Sequence, residues 1–416
     1  MQTLVWYPAK PGAAKPMTVG DYANLMANET QFDHPRMSPD AKRWISGLTP
    51  TLKMPLWAVR DAPAASGRFP VVIYAPSFSA MSWENADLCE YLASHGYVVI
   101  ASPDMGASTR DMTLDVAGIN AQARDISFLV GYARTLPDTD LSEVAVAGFS
   151  WGGISNLFAA ARDNRIDALV ALDGSMRFYS ALVQQADDVH PGQMTIPLLY
   201  MAEGEVTLDD YARFPSKYKG PSVLNAWTHG DLITVHMLGM VHTEFSSMYQ
   251  RNEDVWKNFP EVQKADYGRE DGITGYAWVA RYTLQFLDAY LKHDAAGMAY
   301  LKKTPAQNGV PRHFMSVSYR PANGVPSSFD GFRTEIGRLG FDHAAEIYAA
   351  MKKEKPDFKL DEVAIDDWSD ELISDDRLPE AISLLELDLQ IYPDNAAAKD
   401  KLGKLAGGLP SAVTAR

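Results

Sequence analysis

The stretch Gly148-Phe149-Ser150-Trp151-Gly152-Gly153 decides how this chain is read. Before it runs Ser142-Glu143-Val144-Ala145-Val146-Ala147, short and apolar, with strand character. After it runs Ile154-Ser155-Asn156-Leu157-Phe158-Ala159-Ala160-Ala161, which reads as helix. Gly-x-Ser-x-Gly between a strand and a helix is the sequence form of a nucleophile elbow. A serine in so sharp a turn needs neighbours at minus two and plus two without side chains. The turn lifts Oγ above the sheet, and the following helix aims its positive end at a developing oxyanion.

Working outward, further apolar runs repeat at strand length. Phe69–Ala75 is an unbroken buried strand, followed by the turn Pro76-Ser77-Phe78-Ser79-Ala80. Asn85–His95 reads as a helix stopped by Gly96, and Tyr97–Ala101 as the next buried strand. Thr113–Leu136 is a long helical stretch leading into the strand before Ser150. Ile166–Leu172 and Ile196–Met201 are further strands, and Leu232–Met240 reads as the last. Tyr276–Lys292 is amphipathic and reads as the helix that closes the domain. Strand character is also assigned to Thr3–Pro8 and Leu56–Arg60. Strands alternating with helices over short connections imply a mostly parallel sheet with helices on both faces.

Composition bounds the rest. The chain has 416 residues, is 46% hydrophobic and carries 9 Trp, 19 Tyr and 16 Phe, enough to bury a large core. A net charge of −15 argues against a nucleic-acid backbone as partner. The single cysteine, Cys89, sits in an apolar helical stretch and reads as a buried structural thiol. No apolar run reaches the length of a membrane span. The chain opens on a strand almost at once, which suggests a mature, secreted or periplasmic form with its leader removed, and otherwise a cytoplasmic one.

Residues 1–320 read as one α/β domain, with 17–50 as a candidate cap segment containing a short helix at Val19–Met26. From 321 the chain turns loop-like, and 343–404 read as helical and acidic. Ala381, Leu385 and Pro393 fall at tetratricopeptide spacing, and Ala344, Tyr348 and Pro356 repeat it. The expectation for 321–416 is a small helical, tetratricopeptide-like tail, able to dock on the main domain, on another subunit or on a protein partner.

A serine hydroxyl needs a histidine as base and a carboxylate to orient that histidine. Of the histidines after Ser150, His242 follows the last strand, at the sheet end that carries functional loops. His236 lies inside that strand and reads as structural. His229, beside Gly230-Asp231, is the rival base. Two acids end strands, Asp173 and Glu205, and spacing alone does not separate them. The oxyanion donors are expected to be the backbone N–H groups of Trp151 and Phe78, whose rings would also wall the site. No metal-ligand spacing occurs, and this chemistry calls for no cofactor.

Phe69–Pro76, Glu90-Tyr91-Leu92-Ala93-Ser94-His95-Gly96-Tyr97-Val98-Val99 and Gly148–Gly153 resemble the dienelactone hydrolase and platelet-activating-factor acetylhydrolase branch of the α/β-hydrolases. The resemblance covers about residues 55–300. In the acetylhydrolases the acid ends the strand after the elbow helix in a Leu-Asp context, which here implies Leu172-Asp173 over Glu205. Val241-His242-Thr243-Glu244-Phe245 resembles the group's histidine loop. The turn Pro76-Ser77-Phe78-Ser79 departs from the group's His-Gly-x-Gly and is closer to cutinases and polyester hydrolases. The serine in place of cysteine speaks against dienelactone hydrolysis.

The resemblance implies a serine esterase for short acyl esters. Polyester hydrolysis and phospholipid acetyl hydrolysis are the alternatives within that chemistry. An amidase or peptidase, or a non-catalytic binding protein, are the alternatives outside it.

Overall fold

The computed structural model describes residues 2–29, 37–203, 222–258 and 266–408. The chain divides into two compact units, residues 1–192 with 196–322, and residues 193–195 with 323–416.

The first unit is built on one sheet. Its strands among the described residues are β1 (Leu4–Trp6), β2 (Phe69–Ala75), β3 (Val98–Ala101), β4 (Thr139–Phe149), β5 (Ala168–Leu172), β6 (Leu198–Glu203), β7 (Leu232–Met237) and β8 (Met315–Arg320). They lie in the order β1-β3-β2-β4-β5-β6-β7-β8. The six central strands are mutually parallel, and the edge strands β1 and β8 run antiparallel to their neighbours. Strands β2 to β5 are read from continuous Val, Ile, Leu and Ala runs because helices cover both of their faces. Helix Val116–Ala133 packs on helix Trp151–Ala160, and helix Ala86–Ser94 packs on helix Arg269–Leu291. Helix Trp151–Ala160 is apolar nearly all round and buried through nine of its ten residues, so it sits in the core rather than on the surface.

Two strand assignments are corrected. Leu56–Arg60 is not a strand. Its apolar and aromatic content suits a strand, but Leu56 N–H donates to the Met17 carbonyl and Trp57 N–H to the Glu90 carboxylate. Neighbouring Pro55 makes only an isolated bridge to Thr18. The strand beginning at Leu232 ends at Met237 and is not the last. After helix Arg269–Leu291 the chain returns as β8, with Val235 beside Val317. Asp231 secures that edge, accepting from Tyr290 and Tyr319 hydroxyls at 2.6 and 2.9 Å and from Ala322 N–H at 2.8 Å.

Within residues 17–50, Val19, Tyr22, Ala23 and Leu48 are buried. The Tyr22 hydroxyl donates to Glu90 at 2.7 Å, and Trp44 packs edge-on against Trp83 and Tyr249.

The second unit is helical: Phe329–Leu339, Ala344–Glu354, Glu362–Ser374, Leu378–Ile391 and Ala396–Gly408. Its own core gathers Phe332, Ile336, Ile347, Trp368 and Leu384. Ala344 and Tyr348 fall on the second of these helices, Ala381 and Leu385 on the fourth, and Pro393 in the turn that follows it. Among the described residues no helix is long and apolar enough to cross a membrane.

Candidate active site

The site lies where parallel strands β4, β5, β6 and β7 release their carboxyl ends, the usual address for function in an open α/β sheet. β4 ends at Phe149, and Ser150 turns the chain with φ 51° and ψ −113° into helix Trp151–Ala160. No L-residue adopts that backbone cheaply. Three glycines make it sterically possible. A Cβ on Gly148 would stand 2.3 Å from the Gly152 carbonyl oxygen, and one on Gly152 would stand 2.1 Å from that of Ala75. One on Gly153 would meet Gly174 Cα at 2.4 Å. Backbone bonds complete the elbow: Ser150 N–H donates to the Leu172 carbonyl, and Ser175 N–H to that of Ser150.

His242 opens a short 3-10 turn, His242–Phe245, after β7. Its Nε2 lies 2.9 Å from Ser150 Oγ, and its Nδ1 lies 2.5 Å from Asp173 Oδ2. The ring packs on Phe149 at 5.0 Å between centroids. Asp173 follows β5 with φ 42° and is fully buried. Burial pushes its carboxyl up. The His242 ring, the Arg177 guanidinium at 3.7 Å and the Glu203 N–H at 3.1 Å outweigh that and hold it below the usual carboxylate range. Burial likewise pulls the His242 imidazole down, and the bond and charge of Asp173, with the charges of Glu203 and Glu84, overcome it and leave it raised. A hydroxyl bonded to an imidazole whose other nitrogen rests on a buried carboxylate can give up its proton as it attacks an electrophile.

The structure therefore brings Ser150, Asp173 and His242 together. It does not bring His229 to them: that residue lies in the bend before β7, at the opposite end of the parallel strands. Glu205 falls outside the described residues. A residue two positions earlier was missed. Glu203 ends β6, and its carboxylate accepts the His242 backbone N–H at 2.6 Å, while its own N–H donates to Asp173. Burial and the neighbouring Asp173 charge raise its carboxyl. The signal was present: the apolar run Leu198-Leu199-Tyr200-Met201 continues through Ala202, which makes Glu203 the strand's last residue.

Phe78 and Trp151 face each other edge to face at 5.6 Å, and Trp151 meets Tyr179 in the same way at 5.7 Å. Trp151 is buried, whereas Phe78 and Tyr179 are 36% and 38% exposed and so form the solvent-facing wall. The N–H groups of Phe78 and Trp151 donate to no acceptor among the described residues. For Trp151 this follows from its place at a helix start. For Phe78 the contrast lies with its neighbours, since Ser77 N–H donates to Glu84 and Ser79 N–H to Asp104, each at 2.8 Å.

Comparison with known proteins agrees with this architecture. Residues 32–187 match the family model described as Chlorophyllase, a span that includes Ser150 and Asp173 and stops before His242. No curated protein matches the chain. Among solved structures, a ferulic acid esterase from Streptomyces cinnamoneus superposes with a TM-score of 0.52 at 18% identity, covering 76% of this chain and 88% of that one. The sheet order, the crossover helices and this likeness give one conclusion for the first unit: the chain has the α/β-hydrolase fold, with a helical extension after it.

Proposed function

We propose that the protein is a serine ester hydrolase working through an acyl-enzyme. One observation carries the reading: the unbroken chain from Ser150 Oγ through the His242 ring to buried Asp173, built on a strained elbow. Ser150 Oγ attacks the ester carbonyl while His242 Nε2 takes its proton. Asp173 fixes the tautomer that leaves Nε2 free to do so and stabilises the imidazolium that forms. The oxyanion forms between the Trp151 and Phe78 N–H groups, which have no acceptor to give up among the described residues. His242 then protonates the leaving alkoxide, and water deacylates Ser150 by the same path in reverse.

Short acyl esters are the proposed substrates. The half-exposed rings of Phe78 and Tyr179 beside the elbow also favour a flat aromatic group on the acyl or alcohol side. That geometry makes aromatic esters and polyesters the second series to test. Hydrolysis of p-nitrophenyl esters from acetate to palmitate, and of p-nitrophenyl benzoate, tests the reading against Ser150→Ala. Turnover that is greatest at short or aromatic acyl groups and is lost in the variant supports it. Absence of turnover on every ester rejects it in favour of amide substrates or of binding without catalysis.

A further inference from the structure

Among the buried carboxylates that the proposed chemistry leaves without a task, two converge on one turn beside the elbow. Glu84 and Asp104 are 0% and 1% exposed, on segments that follow β2 and β3, and both aim at the turn after β2. Glu84 Oε2 accepts the Ser77 N–H at 2.8 Å and the Tyr74 hydroxyl at 3.2 Å, and its Oε1 accepts the Ser77 hydroxyl in a short bond. Asp104 Oδ2 accepts the Ser79 N–H at 2.8 Å. Ser79 sits at φ 53°, a backbone that serine does not hold unaided, and its Oγ accepts the Met112 N–H at 2.8 Å. Arg110 donates to the Asp104 carbonyl at 2.8 Å and pairs with Glu29 at 2.9 Å, which fixes Asp104 from behind. Between the two clamped amides stands Phe78, whose N–H donates to no acceptor among the described residues.

Glu84 also reaches the other half of the site. Its backbone carbonyl accepts the Met248 N–H at 3.2 Å and the Ser246 hydroxyl at 3.0 Å, both from the loop that begins at His242. Neighbouring Asn85 is fully buried, donates to the Phe245 carbonyl at 3.0 Å and accepts the Ser247 N–H at 2.8 Å. A buried ionisable group costs stability unless its bonds repay it, so retaining two of them under one three-residue turn calls for a reason beyond packing.

We propose that Glu84 and Asp104 are the positioning residues of the oxyanion turn: they bind the amides on either side of Phe78 and so hold its N–H where the developing oxyanion forms, with Glu84 tying that turn to the His242 loop. The inference rests on the esterase reading above. A donor held in place costs no reorganisation when charge appears, which is the source of its catalytic value.

The test uses p-nitrophenyl acetate turnover together with the affinity of a trifluoromethyl ketone, which forms a tetrahedral adduct on the serine and places an oxyanion in the same hole. Glu84→Leu keeps the volume and removes both side-chain acceptors while leaving the backbone carbonyl that holds the His242 loop. Its kcat is expected to fall about 30-fold, part of the 10²- to 10³-fold effect of losing a donor outright, with KM little changed. The ketone should weaken by the same factor as kcat/KM. Glu84→Gln retains a carbonyl acceptor for the Ser77 N–H and should recover to within about threefold of wild type on the same scale. Asp104→Leu carries the same expectation from the other side of the turn and decides the matter where Glu84→Leu does not fold, with thermal melting as the control. Folded variants with wild-type kcat, or with a loss confined to KM and an unchanged ketone affinity, overturn the inference while leaving the esterase reading intact. A wild type that turns over no ester overturns both.

Discussion

The elbow and the proposed oxyanion turn stand side by side at the ends of β4 and β2 and are held in shape by opposite means. At the elbow the constraint is steric. Gly148, Gly152 and Gly153 leave room for backbone at distances where any Cβ would collide. At the turn the constraint is electrostatic, with Ser77 and Ser79 held by Glu84 and Asp104. The His242 loop belongs to the second kind, since Glu203 accepts the His242 N–H and Glu244 that of Val241. The comparison teaches that a site can be preorganised either by leaving atoms out or by burying hydrogen-bonding carboxyl groups, and that the two should fail differently when mutated.

The largest expected effect separates the two acids at the His242 loop. Asp173→Asn keeps the shape and loses the orienting charge, so kcat should drop on the order of 10⁴-fold. Glu203→Gln loosens the hold on a backbone amide and removes a charge beside the ring but leaves the His242–Asp173 bond in place, so it should cost about 10- to 100-fold at most. Steady-state kinetics on one ester checks both, and equal losses would break the distinction between orienting and positioning carboxylates.

Next comes the elbow. Gly152→Ala sets a methyl 2.1 Å from the Ala75 carbonyl oxygen, so either the elbow or the end of β2 must move. We expect a stability loss of about 3 kcal/mol in denaturant unfolding and a kcat loss of about 100-fold. A variant with wild-type stability would show that the steric half of the comparison is wrong.

Smaller effects follow pH. The proposed base must be neutral, and its carboxylate neighbours raise His242 above the ordinary 6.5. The acid limb of kcat/KM should therefore have its midpoint above that value, with activity lost as pH falls through it. Glu203→Gln should move the limb downward, because one of the raising charges is gone.

Smallest is a stability effect at the oxyanion turn. Burial pushes the Glu84 carboxyl up from 4.5 to about 7, against the bonds from Ser77 and Tyr74. The unfolded chain ionises this group first, so its contribution to stability falls as pH rises from about 4.5 through about 7, by about 3 kcal/mol at most. Glu84→Gln cannot lose a proton. Its melting temperature relative to wild type should therefore rise across that window and stay level above it.

The same contrast explains what could be read from the sequence. A steric requirement is local, so Gly-x-Ser-x-Gly-Gly between an apolar strand and an apolar helix announced the elbow; His242 stood after a strand where the order of the chain put it, while Asp173 was separated from Glu205 only by the acetylhydrolase resemblance. The partners of the carboxylates that shape the turn and the loop were illegible, even for Glu203, whose place at a strand end was not. Glu84 is seven residues from Ser77, Asp104 is 25 from Ser79, and Glu203 is 39 from His242, so none of these pairs has a sequence spacing that signals it. The edge strand β8 was missed although its signal was local: Met315-Ser316-Val317-Ser318-Tyr319-Arg320 alternates apolar and polar residues, the pattern of a half-buried strand, and it pairs with β7. The Leu56–Arg60 segment was misread in the opposite direction, its strand-like composition serving contacts to Met17 and Glu90 instead.

The central claim, that Ser150 carries the acyl group, is tested most directly by quenching a reaction with p-nitrophenyl acetate in acid within the first turnover and locating the acetyl group by peptide mass spectrometry. The account predicts a burst of nitrophenol stoichiometric with enzyme, an acetyl group on the peptide that holds Ser150, and neither in Ser150→Ala. Turnover retained in that variant, or a label on any other residue, would contradict it.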